Sequence, residues 1–390
     1  MDRDQDRQAP DWADFRRQMP VASRWAYFDH AAVAPISGPA QAAMAQWTQR
    51  AAADGDTWGP TWTRQLEETR AAAARLIGAE PDEIALVPNT TAGISLVAEG
   101  YPWQPGDNVV TLANEFPTNQ YPWLNLAERG VEVRRVDAPA GRVDLERIED
   151  VCDRNTRILA ISWVGFTSGW RTDVDALVEL AHRHGALLML DAIQGLGVFP
   201  LDVKKTPVDF LAADGHKWLL GPEGAGVVYV RIEHLERLRP LGVGWNSVVH
   251  SHDYDHIELK LKPTAARYEG GTYNTAGFIG LGASFQLLLD FGVERMAARL
   301  LEITDRACER LADAGATIHS TRTPTEEGWD PRSGIVSFDV AGSDLRRLRK
   351  QLRERDVVLS YRAGLLRISP HVYTNEEDLD RLVEGLLAGR

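Results

Sequence analysis

The stretch "LAADGHKWLLGPEGAG" (residues 211–226) decides how the rest of this chain is read. An apolar run stops at Asp214-Gly215, His216 and Lys217 follow at once, and glycines stand at 215, 221, 224 and 226. A lysine at the end of a strand is by itself an ordinary surface residue. A lysine that leaves a buried strand for a glycine-rich turn can also form a Schiff base with a carbonyl cofactor. Which of the two holds depends on what stands at the ends of the other strands.

Working outward, short apolar runs alternate with segments of helical period. "NVVTL" (108–112), "VEVRRV" (131–136), "RILAISWV" (157–164), "ALLMLDAI" (186–193), "VDFLAAD" (208–214) and "AGVVYVR" (225–231) read as strands. "TDVDALVELAHRHG" (172–185) reads as a helix capped by Thr172 or Asp173, with one apolar stripe at 174, 177, 178 and 181, and closed by Gly185. Strands that are apolar throughout, with helices between them, predict an α/β fold with a mostly parallel sheet covered on both faces. From about residue 275 the pattern changes to one long helix, then the strands "GIVSFDV" and "LLRISP" and a last helix "NEEDLDRLVEGLLAG". The expected organisation is a large domain over 26–265 and a smaller α+β domain from 1–25 and 266–390.

The totals narrow the function classes. A chain of 390 residues with 44% hydrophobic content can bury a large core. A net charge of −13 argues against nucleic acid as a partner. Cys152 and Cys308 are the two cysteines, so a disulfide framework is not expected, and a reducing cytoplasm fits. No apolar run reaches the ~18 residues of a membrane span. "GPEGAG" lacks the Lys-Ser/Thr of a P-loop, and "GLGVFP" lacks the strand–glycine–helix context of a dinucleotide site.

Ligands of open α/β sheets bind at the carboxyl ends of strands. Asp191 ends one such strand, and Gln194 lies three residues on. An aspartate and a lysine at two strand tips suit pyridoxal phosphate: the carboxylate keeps the pyridine nitrogen protonated, and the lysine holds the aldehyde. "LVPNTTAGISLVAEG" supplies an anion site, where Thr90 and Thr91 open a helix behind a strand. Read alone, either threonine is an N-cap.

With these residues in place the chain resembles the class V aminotransferase superfamily of fold-type I pyridoxal-phosphate enzymes, which includes cysteine desulfurases, selenocysteine lyases, kynureninases and isopenicillin N epimerases. The similarity runs from "YFDHAAVAP" (27–35) to the C-terminus. It implies Lys217 as the Schiff-base lysine, Asp191 as the pyridinium partner and Gln194 as the partner of the phenolic oxygen. It implies Thr90, Thr91 and His216 at the phosphate, Phe116 of "NEFPTNQYPW" stacked on the ring, and Gly271 and Thr272 of "RYEGGTYNTAG" reaching the phosphate of a neighbouring subunit in a homodimer. It places the amino-acid substrate against His30, Asn119, Arg362 and Arg367, with Arg367 gripping the carboxylate. A planar guanidinium suits that contact.

Three departures bear on the reaction. Desulfurases carry a cysteine on a loop between two arginines, whereas Arg362 and Arg367 are separated here by "AGLL" alone. Phe166 of "ISWVGFTSG" stands where relatives have an asparagine, and Asp214 where many have a serine. An anion at 214 would repel a phosphate, so Asp214 is expected to point away or to meet a cation. The tract "VVHSHDYDH" (248–256) reads as a polar lid over the site in preference to a metal site. The expected activity is β-elimination from an amino acid without a persulfide cysteine; transamination and epimerisation are the alternatives. A cofactor-binding regulator without catalysis is the reading of another class.

Overall fold

Strands that are apolar at every position need cover on both faces, and the central sheet is built that way. The computed structural model describes residues 11–389. The assignment of residues 1–10 to a small domain lies outside the described residues. From edge to edge the seven strands run Ile84–Val87, Gly226–Val230, Phe210–Asp214, Leu187–Asp191, Thr156–Ser162, Asn108–Leu112 and Glu132–Val136. Gly226–Val230 is antiparallel to both of its neighbours, and every other pairing is parallel. Six strands therefore end on the same edge.

Alternate residues of these strands enter different cores. Ile158, Ala160, Met189, Ala212 and Val228 face one; Leu159, Ile161, Leu188, Leu211 and Val227 face the other. The helix expected over 172–185 spans Val174–Arg183 and is capped by the Asp173 side chain, which accepts from the Ala176 N–H. Val174, Leu177, Val178 and Ala181 form its buried stripe.

The single long helix expected after 275 is two helices, Thr275–Phe291 and Val293–Asp313, bent by 82° at a break. Gly292 makes the corner with φ +79°, a conformation that costs glycine nothing. The bend also moves the boundary between cores. Thr275–Phe291 packs on the helices Gly38–Asp54 and Gly59–Ile77 and contributes Phe278, Leu281, Phe285 and Leu288 to the large core. Phe15 and Met19 lie in that same core, where Phe15 also packs against His371 and Tyr373 of the C-terminal part, and Arg16 pairs with Asp378 at 2.6 Å. The separate small core contains Ala307, Leu311, Val336, Phe338, Leu352, Ile368 and Leu382, with Ala26 and Phe28 from the N-terminal side. Its four-stranded sheet runs Ser360–Arg362, Leu365–Ile368, Val336–Val340 and Ala316–Ile318, antiparallel throughout. No single helix among the described residues is long and apolar enough to cross a membrane.

Candidate active site

The shared carboxyl edge of the sheet opens into a cavity of about 330 Å³. Lys217, Asp191, Gln194, Thr90, Thr91, His216, Phe116, Arg362 and Arg367 all line it, together with Asp214 and Phe166. Residues spread over nearly 280 positions thus meet because each stands at or just after a strand end of the large sheet or on the short hairpin of the small domain.

Lys217 sits in a turn fixed by its backbone. The Gly215 N–H donates to Ala225 O at 2.8 Å, Gly221 N–H to Gly215 O at 2.9 Å and Leu220 N–H to Lys217 O at 3.0 Å. Leu220 takes φ +55°, and its carbonyl accepts from Ser37 N–H and Ser284 Oγ at 3.0 and 2.8 Å. The lysine is 8% exposed. Burial pushes its amine down to about 8; the charge of Asp191 opposes that shift, and the arginines at 367 and 362 add to it. Burial likewise pushes Asp191 up to about 6, against an N–H from Ile193 and the charge of Lys217. Each group is the nearest compensation for the other in a dry site.

The helix Thr90–Gly100 begins at the cavity, capped by Asn89 Oδ1 on the Ala92 N–H at 2.9 Å. Its first N–H groups have no intrahelical acceptor and present a partial positive charge. Thr91 Oγ1 lies 2.9 Å from Thr118 Oγ1, while Thr90 Oγ1 is buried without a partner. Asp214 does not point away from the cavity as one of the two expectations had it. Its Oδ1 lies 3.0 Å from His216 Nδ1, without hydrogen-bond alignment. Phe116 and Phe166 meet edge-to-face at 5.3 Å, and Lys217 Nζ lies 5.5 Å from the Phe116 ring centre.

Arg367 is 1% exposed and heavily engaged. It donates to Phe166 O at 2.5 Å and to Asp29 Oδ1 and Ser360 Oγ, both at 3.3 Å; its Nε has no partner. Arg362 and Arg367 flank a hairpin whose turn is Ala363-Gly364, both at positive φ, and Arg362 pairs with Leu365.

Four expectations meet a different geometry. His30 is fully buried, with Nδ1 2.8 Å from Ser369 O and Nε2 2.8 Å from Tyr373 Oη, and its neighbours Ala31, Ala32 and Val33 line the cavity instead. Asn119 is also fully buried; it donates to Ala160 O and accepts from Trp123 Nε1, which fixes the Phe116 loop from behind. Gly271 and Thr272 line a separate depression beside Val87, Pro88 and Ala92. The 248–256 tract lines another with Trp245 and Ile257, not the mouth of the Lys217 cavity. Within the tract His256 Nδ1 contacts Asp253 at 3.1 Å.

Sequence reasoning missed Glu115. Its carboxylate takes the Ser162 N–H at 2.7 Å and also the Ser162 hydroxyl, and Ser162 pairs with Asp191 across the sheet. Burial raises it to about 7, with Asp191 nearby adding to the shift. It immediately precedes Phe116 at a strand end, the same signal that found Asp191. Asp29, the partner of Arg367, carried no such signal.

The donor set fits pyridoxal phosphate. Thr90 Oγ1 and Arg367 Nε are buried polar atoms without partners on residues that line the cavity, which suits an anionic phosphate at one end and a carboxylate at the other. Asp191 is a buried carboxylate that a protonated ring nitrogen would satisfy.

The family model described as aminotransferase class-V matches residues 26–382. A probable cysteine desulfurase of Methanothermobacter thermautotrophicus is 33% identical, with 96% of each chain covered. The cysteine desulfurase of Escherichia coli is 30% identical over 83% of this chain and 82% of its own. Among solved structures, the apo cysteine desulfurase of Thermococcus onnurineus superposes with a TM-score of 0.87 at 26% identity, over 98% of both chains.

Proposed function

The chain belongs to the class V aminotransferase family of pyridoxal-phosphate enzymes, and from that premise we propose that it is a β-eliminating lyase acting on an amino acid without a cysteine relay. The observation that carries the reading is the hairpin between Arg362 and Arg367. Its turn is two residues long, and a mobile thiol-bearing loop has no room between strands paired at Arg362 and Leu365. Cys152 and Cys308 stand on other elements outside the cavity lining, half-buried, and burial pushes both thiols up to about 11. A relay needs an exposed thiolate, and neither site favours one.

When bound, pyridoxal phosphate supplies an electron sink for the charge left when the α-proton departs. Lys217 would hold the cofactor through Nζ; burial brings that nitrogen down to about 8, so a far larger share of it is uncharged near neutral pH than in an ordinary lysine, while it stays basic enough to take a proton. Asp191 would face the ring nitrogen, Gln194 the phenolic oxygen, and Thr90, Thr91 and His216 the phosphate. Phe116 and Phe166 wall the cavity beside Lys217 Nζ. Arg367, held by Phe166 O and Asp29, keeps Nε and one flank for a substrate carboxylate. Gly271 and Thr272 would serve a partner subunit in a homodimer.

The test is product analysis by mass spectrometry over a panel of amino acids, with and without a keto-acid acceptor, on the wild type and on Cys152→Ser/Cys308→Ser. The lyase reading expects a 2-keto acid and ammonia, with the β-substituent released, without acceptor, and unchanged turnover in the double variant. Strict acceptor dependence would make the enzyme a transaminase. Loss of turnover in the double variant would restore a thiol relay.

A further inference from the structure

We propose that Trp218 is a positioning residue that dictates which end of the Gln194 amide the cavity meets. Trp218 follows Lys217 directly and is 1% exposed. Its indole Nε1 donates to Gln194 Oε1 at 2.8 Å. An indole N–H has no acceptor capacity, so the atom opposite it must be the amide oxygen. The amide nitrogen then lies on the other side, where Nε2 donates to Ala31 O at 3.0 Å. A flipped amide would set NH₂ against N–H and oxygen against carbonyl, leaving two buried groups unpaired at once. Gln194 is 3% exposed and lines the cavity. One of its two amide hydrogens is taken by Ala31, so what remains for a ligand is a donor.

The indole is itself held on three sides. The Trp218 backbone carbonyl accepts from His371 Nε2 at 3.2 Å, and its ring lies at 28° and 29° to the imidazoles of His30 and His371, with centroids 6.2 and 6.0 Å away. Its outer edge fills a gap left by Gly334, where a Cβ would stand 2.4 Å from Trp218 Cη2. The buried cluster that includes His30 thus bears on the cavity through Trp218 and Gln194, and His30 itself is not part of the lining.

The inference rests on the pyridoxal-phosphate reading. A donor facing the phenolic oxygen stabilises its anion and lowers the pH at which the bound chromophore loses its proton. The experiment is a pH titration of the visible absorption of the holoenzyme. Trp218→Phe keeps the aromatic wedge and deletes the N–H, which frees the amide to turn. The midpoint should rise by roughly half a unit to one unit, in the same direction as Gln194→Ala. The double variant should move no further than Gln194→Ala alone, because both act through one contact. Where Trp218→Phe does not accumulate as folded protein, Gly334→Ala, which pushes on the same ring, is read in the same way. A lower melting temperature with an unchanged midpoint would reduce Trp218 to a packing residue and overturn the proposal. A wild type without any visible band would instead sink the cofactor reading itself.

Discussion

The amine of Lys217 is destabilised by the place that makes it reactive. Its descent from 10.5 to about 8 is a burial effect that the charge of Asp191 only partly offsets. At neutral pH such a shift corresponds to about 3 kcal/mol of lost folding free energy. Between about 8 and 10.5 the unfolded chain binds more protons than the folded one, so this penalty is complete below about 8 and fades as pH rises to 10.5. Asp191 works in the opposite sense: its penalty is present above about 6 and fades as pH falls through 3.8. For the cofactor-free chain, Lys217→Met is therefore expected to raise the melting temperature at pH 7, and the gain should vanish near pH 10.5. The same shift predicts that pyridoxal phosphate adds to the wild-type apoprotein at a rate that climbs through a midpoint of about pH 8. Calorimetry and stopped-flow absorbance read the two effects. A variant no more stable than wild type at pH 7 would mean that the site is wetter than its geometry implies.

Secondary elements matter here for where they end. The helix Thr90–Gly100 can bring its N-terminus to the cavity because residue 93 is glycine: a Cβ there would lie 2.8 Å from the Ala212 Cβ of the strand that leads to Asp214. Gly93→Ala should force the helix off the sheet, destabilise the fold by about 1–3 kcal/mol and weaken cofactor affinity more than thermal stability alone explains. Equilibrium binding of pyridoxal phosphate to folded apoprotein measures this, and an unchanged dissociation constant would free the helix from the role given it. At this scale much was legible in the sequence. Period and capping residues signalled the Val174–Arg183 helix, and the all-apolar strands announced a sheet covered on both sides. The corner at Gly292 was not, because an apolar helix and an amphipathic one join there without a proline or a polar break. The resemblance named His30 and Asn119, but which atoms they touch depends on Ser369, Tyr373, Ala160 and Trp123, partners remote in sequence.

At the scale of the molecule, the question is whether one chain completes its own site. Within the chain, Gly271 and Thr272 do not reach the Lys217 cavity; they line a depression on the far side of the Thr90–Gly100 helix start, beside Pro88 and Ala92. Their segment is rigidly set. Arg70 and Glu269 form a buried pair at 2.5 Å, Glu269 also accepts the Leu86 N–H, and Tyr273 binds both Glu269 and Asn246. So well-anchored a turn, aimed away from its own cavity, suits service to a neighbour. If so, Lys217→Ala and Thr272→Ala fail in different places. In a hybrid dimer one site then combines the intact Lys217 of one chain with the intact Thr272 of the other, while the second site carries both lesions. Random pairing on co-expression should restore roughly a quarter of the wild-type sites in such an isologous dimer. If Thr272 served its own chain, no hybrid site would be whole. Activity of the co-expressed pair no greater than that of the Thr272→Ala chains alone would then assign a complete site to each monomer.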